Sequence, residues 1–487
     1  MQPYSIKKIH ALYLNGTLTA EQLVKQYLER IEQYDRGSFG IKSIIELNPD
    51  AIIVARQLDE YYQKNGFKGA LHGIPVLVKD NIDTADRMMT TAGSLALLDN
   101  YAAQDASVIH NIRQAGAIIL GKTNLSEWAN FRGKNSTSGW SSHGGQTLNP
   151  YDRQRSPGGS SSGSAAAIAA NFATVAIGTE TDGSIICPTS ECGVIGLKPP
   201  IDWLSNRGII PIGHSQDTAG AIARSVEDAA ILLNAMAGKE RVGNQKTTST
   251  IKEPIDWNCH ALSGAKIAVL TKLDNYKAET ITLFKKQLTL LKASGAILVE
   301  SELKLPEEVS KAEGTVLEYE FKYGINRYLD AMPAAVKVHS LNELIAYNRE
   351  HANSILKYHG QERLIAANQT DGLKSEVYLK AQATCHKFRE YMEQVITEQQ
   401  FDAIIAPTRD VASLINHSQG DTNRSGCNSL AAVSGGCNIS VPMGYIDRLP
   451  VGISFFSSAS QFDKILQLAH AYEAIAITRQ APDLISA

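Results

Sequence analysis

The chain has no surplus of positive charge: 47 Lys and Arg stand against 50 Asp and Glu, a formal net charge of −3 over 487 residues. Without a basic field nothing attracts a nucleic-acid backbone or an anionic bilayer, and neither is expected as a partner. The six cysteines (Cys187, Cys192, Cys259, Cys385, Cys427 and Cys437) are scattered and form none of the paired Cys/His spacings that hold zinc. They read as mostly buried thiols, and no metal site is expected. The longest uncharged run, residues 156–179, is rich in Ser, Gly and Ala and short of Leu, Ile and Phe. A membrane helix needs about 20 strongly apolar residues, so this run is expected to be a buried helix and strand. The N-terminus, MQPYSIKKIHALYLNG, lacks a basic segment followed by an apolar run. The expected compartment is therefore the cytoplasm, with the periplasm or secretion as the alternative if a signal was removed before this numbering. Tandem repeats are absent too.

What is present is a long chain with an alternating rhythm. Its length suits two or three ordinary domains or one large α/β enzyme. Thr19 and Gln22 form a capping box for a helix to about Tyr34, with Leu23, Tyr27 and Ile31 at helical spacing. An alternating segment at 41–47 and a second amphipathic helix at 49–65 follow. Residues 74–78 make a short apolar run of buried-strand type, a helix is expected at 105–114 and a strand at 117–120. This βαβ rhythm implies an α/β fold with a mostly parallel twisted sheet covered by helices on both faces. Further on, a helix at 226–236 precedes a polar surface excursion at 238–264, then a strand at 266–270 and a helix at 279–294. Long charged helices at 306–329, 340–359 and 374–398 are expected to form a helical lobe along one side of a cleft. A buried strand at 402–406, a last strand at 451–456 and a terminal helix at 460–477 complete the chain.

The densest chemistry lies in residues 156–198, SPGGSSSGSAAAIAANFATVAIGTETDGSIICPTSECGVIGLK, where Ser160 and Ser184 each follow a glycine in a tight turn. Such turns lift a side chain out of a packed layer and leave backbone N–H groups unpaired. A serine hydroxyl is a poor nucleophile until a base removes its proton. His72, His110, His143 and His214 are candidates in principle, but spacing pairs none of them with a serine, and no G-x-S-x-G elbow occurs. Lys79, at the end of the 74–78 strand and ahead of Asp80, Asn81 and Asp83, is either a surface lysine paired with Asp80 or Asp83, or a functional group. A lysine acts as a base only when neutral, which burial and nearby positive charge favour. The N-terminal dipole of a helix beginning near Ser161 would oppose a second positive charge and favour an oxyanion.

SPGGSSSGSAAAIAA, GTETDGSI and CGVIGLKP, with LHGIPVLVKDNID upstream, resemble the amidase signature family of serine hydrolases, in order from about residue 20 to 235 and more weakly to the end. Ser184 follows Ser160 by 24 positions, the family's spacing between its two catalytic serines. The resemblance implies a Ser–cis-Ser–Lys triad with Ser184 as nucleophile, Ser160 as the bridging serine after a cis Gly159–Ser160 bond, and Lys79 as base. It implies an oxyanion site in the N–H groups of Thr181, Asp182, Gly183 and Ser184, and no cofactor. It also implies one amidase signature domain over 1–487, with a catalytic core at 60–240 and the helical lobe at 300–400.

Three departures from the family pattern stand out. The arginine that often follows the nucleophile is replaced by Ile186, a carboxylate at Asp182 replaces a glycine, and PPIDWLSNRG follows Lys198. Trp203 in that last segment is either a pocket wall or a core residue. GTETDGSI, TNLSEWANFR, SGWS, GGQT and GIIPIGHSQDTAG are similar to the peptide amidase branch, which converts C-terminal peptide amides to acids and ammonia. A peptide or small-molecule amide is the implied substrate, and a monomer or homodimer the expected assembly. The alternatives are the glutamine-hydrolysing component of a tRNA-dependent amidotransferase, which works with a partner protein, and a non-catalytic binding module on the same fold. Fatty acid amide hydrolysis fits less well, because no amphipathic segment has a strongly apolar face for a membrane.

Overall fold

Short runs of Val, Ile and Ala build the centre of the molecule, and the helices between them supply its cover. The computed structural model describes residues 2–37, 40–238, 255–422 and 425–485. The strands in chain order are β1 (Ile44–Leu47), β2 (Pro75–Lys79), β3 (Ile118–Thr123), β4 (Trp140–Ser141), β5 (Gly145–Gln146), β6 (Val175–Glu180) and β7 (Ile195–Lys198). They continue with β8 (Thr218–Ala223), β9 (Lys266–Leu270), β10 (Ile297–Ser301), β11 (Ala403–Pro407), β12 (Cys437–Ile446) and β13 (Leu449–Ser457). Among the described residues, eleven of them form one sheet in the order β1-β3-β2-β6-β8-β7-β12-β13-β11-β9-β10, while β4 and β5 pair separately.

The sheet is mixed. It is parallel within β3–β2–β6 and within β11–β9–β10 and antiparallel elsewhere. The antiparallel middle has a topological cause. Strands β6 and β7 are joined by the helix Ile186–Glu191 as a βαβ unit, but β8 returns between them and runs against both.

Alternate residues of the same strand pack into different cores, as the period of two requires. On β9, Ile267 and Val269 join the core that contains Phe284 and Leu291 of the helix Ala278–Ala293 and Leu466 of the helix Phe462–Ala476. Ala268 and Leu270 face Val316 and Tyr319 of the helix Glu307–Asp330 and Phe388 of the helix Glu376–Gln399. Helices therefore cover both faces of the sheet, in the α/β amidase signature arrangement that the sequence led one to expect.

The local rules hold where the sequence signals are strong. Thr19 caps the helix Ala20–Tyr34 by accepting from the Gln22 N–H, and Gln22 Oε1 accepts from the Thr19 N–H in return. The segment at 340–359 breaks instead into Leu341–Glu350 and Ala352–Ile355, because His351 leaves helical geometry and stacks on Tyr347 with its Nδ1 against the Tyr347 carbonyl. Of the excursion at 238–264, residues 239–254 lie outside the described residues. Among the described residues no helix is long and apolar enough to cross a membrane.

Among the described residues three lysines are wholly buried, Lys79, Lys122 and Lys198. Lys122 on β3 donates from Nζ to the Ile82 carbonyl and to Thr90 Oγ1, both at 2.8 Å, and lies 3.8 Å from the buried Asp80 carboxylate. Removing one member of a buried pair strands the other charge. Lys122→Met should therefore lower unfolding stability by about 3–5 kcal/mol in a urea titration. Exposed pairs such as Lys311–Glu307 should change it by under about 1 kcal/mol when broken.

Candidate active site

Lys79 ends β2, and the burial of all five β2 residues carries its ammonium group into the interior. Its Nζ donates to Ser160 Oγ at 2.8 Å, to Thr179 Oγ1 at 2.9 Å and to the Thr179 carbonyl at 3.2 Å. Asn81 Nδ2 also reaches Thr179 Oγ1, at 3.0 Å, and fixes that hydroxyl. Among the described residues no carboxylate forms an ion pair with Lys79. Asp80 is taken by Thr91 and Lys122, and Asp83 accepts from the Tyr328 hydroxyl at 2.8 Å. The surface-pair alternative for Lys79 is thereby excluded. Burial brings Lys79 down to about 7, against a smaller opposing pull from Glu180 and Asp217.

Ser160 is fully buried and follows a cis Gly159–Ser160 bond. Gly159 has no room for a side chain, since a Cβ there would lie 2.4 Å from Ser126 Oγ and 2.7 Å from Ser138 Oγ. The Ser160 carbonyl accepts from the Ser126 N–H at 3.1 Å, and the Ser161 N–H donates to the Ser184 carbonyl at 3.0 Å. That last bond pins the two serine turns to each other. The helix Ser162–Ala169, whose residues are small apart from Ile168 and all buried, begins directly behind Ser160.

The turn between β6 and the helix Ile186–Glu191 carries Ser184. Gly183 sits at φ +79°, and a Cβ there would come within 2.7 Å of Cys187 Sγ and 2.9 Å of Asn428 Nδ2. Glu180 reaches under the turn, where Oε2 accepts from the Ile185 and Ile186 N–H groups at 2.7 and 2.9 Å. It thus caps the short helix on which Ser184 borders. Thr181 donates from Oγ1 to Asp217 Oδ1 at 2.6 Å, and Asp217 Oδ2 accepts from the Ile212 and Gly213 N–H groups. Among the described residues no acceptor takes the N–H groups of Thr181, Asp182, Gly183 or Ser184. Unpaired N–H groups converging beside a hydroxyl are equipped to bind an oxygen that gains negative charge.

A cavity of about 520 Å³ opens over this turn, with Ser184, Thr181 and Asp182 on its floor. Phe131 and Leu317 give it apolar wall, while Glu313, Arg363 and Arg409 give it charged wall. Glu313 and Arg363 come from the 300–400 lobe expected along the cleft, though neither residue was singled out, and Arg409 comes from a segment not connected with the site. Arg409 lies just past β11, with Nε 3.4 Å from Glu191 Oε1, and so a guanidinium reaches the cavity although Ile186 replaces the usual arginine of the signature. Asp217 and Gln216 fall in GIIPIGHSQDTAG, and that quoted stretch was the one available signal for them.

The four histidines lie elsewhere. His72 Nδ1 accepts from the Lys68 N–H and packs against Phe67, and burial lowers it to about 4. His143 meets Thr91 Oγ1 at 3.2 Å, His110 is exposed, and His214 lies 3.3 Å from Glu320. Trp203 is a core residue, packed edge to face on Phe462 with ring centroids 5.4 Å apart. Of the six cysteines only Cys259 is exposed, and Cys187 lines the cavity with burial pushing its thiol up to about 12. Among the described residues no His, Cys, Asp and Glu cluster could hold a metal ion.

Comparison with known proteins gives a consistent set of likenesses. The sequence profile of the family described as Amidase matches residues 22–466. A probable amidase of Arabidopsis thaliana is 36% identical over 503 residues, covering 100% of this chain and 92% of the relative. A putative amidase of Schizosaccharomyces pombe is 32% identical over 510 residues, covering 97% of this chain and 85% of the relative. Among solved structures, native peptide amidase from Stenotrophomonas maltophilia superposes with a TM-score of 0.92 at 42% identity, covering 99% of this chain and 98% of that one.

The environment of Lys79 is directly measurable. In protein labelled with 15N-lysine, one Nζ should lose its proton near pH 7, where exposed lysines titrate at about 10.4, and that signal should vanish in Lys79→Met. A Lys79 Nζ that stayed protonated to pH 9 would contradict the burial argument.

Proposed function

Because the chain belongs to the amidase signature family and is an amide-hydrolysing enzyme, we propose that it converts C-terminal peptide amides to the free acid and ammonia through an acyl-enzyme on Ser184. One observation carries the mechanism: a buried lysine, down near 7, donates to the hydroxyl of Ser160 behind the turn that brings Ser184 to the cavity. The likeness to peptide amidase over nearly the whole chain supports the substrate class. We assign residues 60–240 to the catalytic core and the 300–400 lobe to the cleft wall, within one domain over 1–487.

The steps follow from the roles. Neutral Lys79 takes a proton from Ser160 as Ser160 takes one from Ser184, and Ser184 Oγ bonds to the amide carbonyl carbon. The carbonyl oxygen becomes an oxyanion held by the N–H groups of Thr181, Asp182, Gly183 and Ser184. Collapse of the tetrahedral intermediate breaks the C–N bond, and the proton returns from Lys79 through Ser160 to the departing nitrogen, which leaves as ammonia. Water then attacks the Ser184 ester and gives its proton to the same relay, and collapse of the second tetrahedral intermediate breaks the ester C–O bond as that proton returns through Ser160 to Ser184 Oγ and the acid leaves. No metal or cofactor is assigned a step.

The sign of the pH dependence is fixed by the requirement for neutral lysine. The rate constant kcat/KM should rise about tenfold per pH unit below the Lys79 value near 7 and level off above it. A rate that falls steadily from mildly acidic pH upward, with the fold intact, would exclude lysine as the base.

Ser184→Ala should remove at least about four orders of magnitude of kcat, and Lys79→Ala nearly as much. Ser160→Ala should retain a small residual rate, roughly a hundredth to a thousandth of the parent. Unchanged turnover in purified Ser184→Ala would sink the nucleophile assignment. Ammonia release from a panel of C-terminally amidated peptides, simple aliphatic and aromatic amides and free glutamine tests the substrate class. Ammonia from free glutamine alone would point instead to the tRNA-dependent amidotransferase.

A further inference from the structure

Asp182, the carboxylate where the signature usually has glycine, does not stand alone. Glu313 enters the cavity from the helix Glu307–Asp330, and the Asp182 charge acts on its carboxyl there. Each is held by its own partners. Asp182 accepts from Asn428 Nδ2 and from Ser429 Oγ, both at 2.6 Å. Glu313 Oε1 accepts from Gln216 Nε2 at 2.9 Å, and Gln216 Nε2 also reaches the Thr181 carbonyl at 3.3 Å. The pair is thus tied to the Thr181–Asp182 side of the turn that presents Ser184, and both residues line the cavity with it.

Two carboxyl groups in contact do not both ionise, because the second charge must form beside the first. Burial adds to this, raising Asp182 and pushing Glu313 up to about 8. Around them, Lys198 and Arg409 pull Asp182 down through space and Arg363 does the same for Glu313. The pair therefore holds a proton more firmly than a lone carboxylate would, while these three cations favour a negative charge on its other member.

We propose that the Asp182–Glu313 pair makes the cavity select the neutral carboxamide over the carboxylate that the reaction produces. The inference rests on the proposed placement of the reacting carbonyl at Ser184. A primary carboxamide is uncharged and brings two N–H donors, which the ionised member of the pair can accept. The product acid brings acceptors only and a like charge, and like charges placed together in a confined site are strongly disfavoured. Hydrolysis converts one into the other in place, so the wall that accepts the substrate expels the product. Asp182 is therefore a specificity-determining residue, and Glu313 its proton-sharing neighbour.

The test compares KM for an N-acetylated amino acid amide with the inhibition constant Ki of the matching N-acetylated amino acid. In the double variant Asp182→Asn/Glu313→Gln, which removes the charge, Ki/KM should fall by about tenfold or more. Glu313→Gln alone leaves Asp182 ionised and should keep the ratio near its parent value, whereas a merely structural role would move both variants together. If the double variant does not fold, Asp182→Asn alone should lower the ratio by about threefold or more. A ratio within twofold of the parent in the charge-free variant overturns the proposal. So does a loss of activity confined to amides that carry a free α-ammonium group, which would make the pair an amine site. Failure of the nucleophile assignment would show separately, as turnover by Ser184→Ala, while the Ki/KM comparison would still report on the pair.

Discussion

An ammonium group in the interior with no carboxylate against it is the constraint on which the centre of this molecule depends. Lys79 is kept there by hydroxyl and carbonyl oxygens alone, from Ser160 and Thr179. A hydroxyl can donate to a neutral amine as well as accept from an ammonium, so the site rewards protonation less than an ion pair would. Water must be kept out for this to last. The buried strands β2 and β6 and the helix Ser162–Ala169, with no charged residue among its eight, provide the exclusion. Small side chains let that helix sit close enough for Ser160 to reach Nζ.

The other two buried lysines show what Lys79 would be under different surroundings. Lys122 has the Asp80 carboxylate nearby, and Lys198 donates to the Gly436 carbonyl at 2.6 Å with Glu180 and Asp182 acting on it through space. Lys122 thereby ties β3 to Ile82 and Thr90, and Lys198 ties β7 to Gly436. Glu180 shares that work, because its carboxylate caps the helix after Ser184 rather than entering the chemistry.

Much of this was legible in the sequence, and the limits have physical causes. Lys79, Ser160 and Ser184 stand in motifs whose glycines and spacing are distinctive, and β2, β3, β9 and β11 are compact apolar runs. Strand β8, TAGAIA, has too little side-chain bulk to read as a strand although it is fully buried. Strand β12 is broken in pattern by Pro442 and Gly444, where its register to β13 shifts. Strand β10 escapes notice because it is an edge strand with half-exposed residues. Glu313 was hidden among the other charges of a helix expected along the cleft, since nothing local shows which of its glutamates turns inward. Residues whose role is set by tertiary proximity, Arg409 and Asn428 among them, leave no local mark.

The return of β8 between β6 and β7 also bears on how the chain must be made. When ribosomal synthesis has passed Lys198, β6 and β7 are both available, yet they cannot pair with each other because the space between them belongs to residues 218–223. Until those emerge, each strand shows an unfilled edge, and β7 waits on its other side for β12, some 240 residues later. The nascent chain therefore passes through a long interval in which one edge of the buried strand β7 has no partner, a natural point for chaperone engagement and for aggregation when translation stalls.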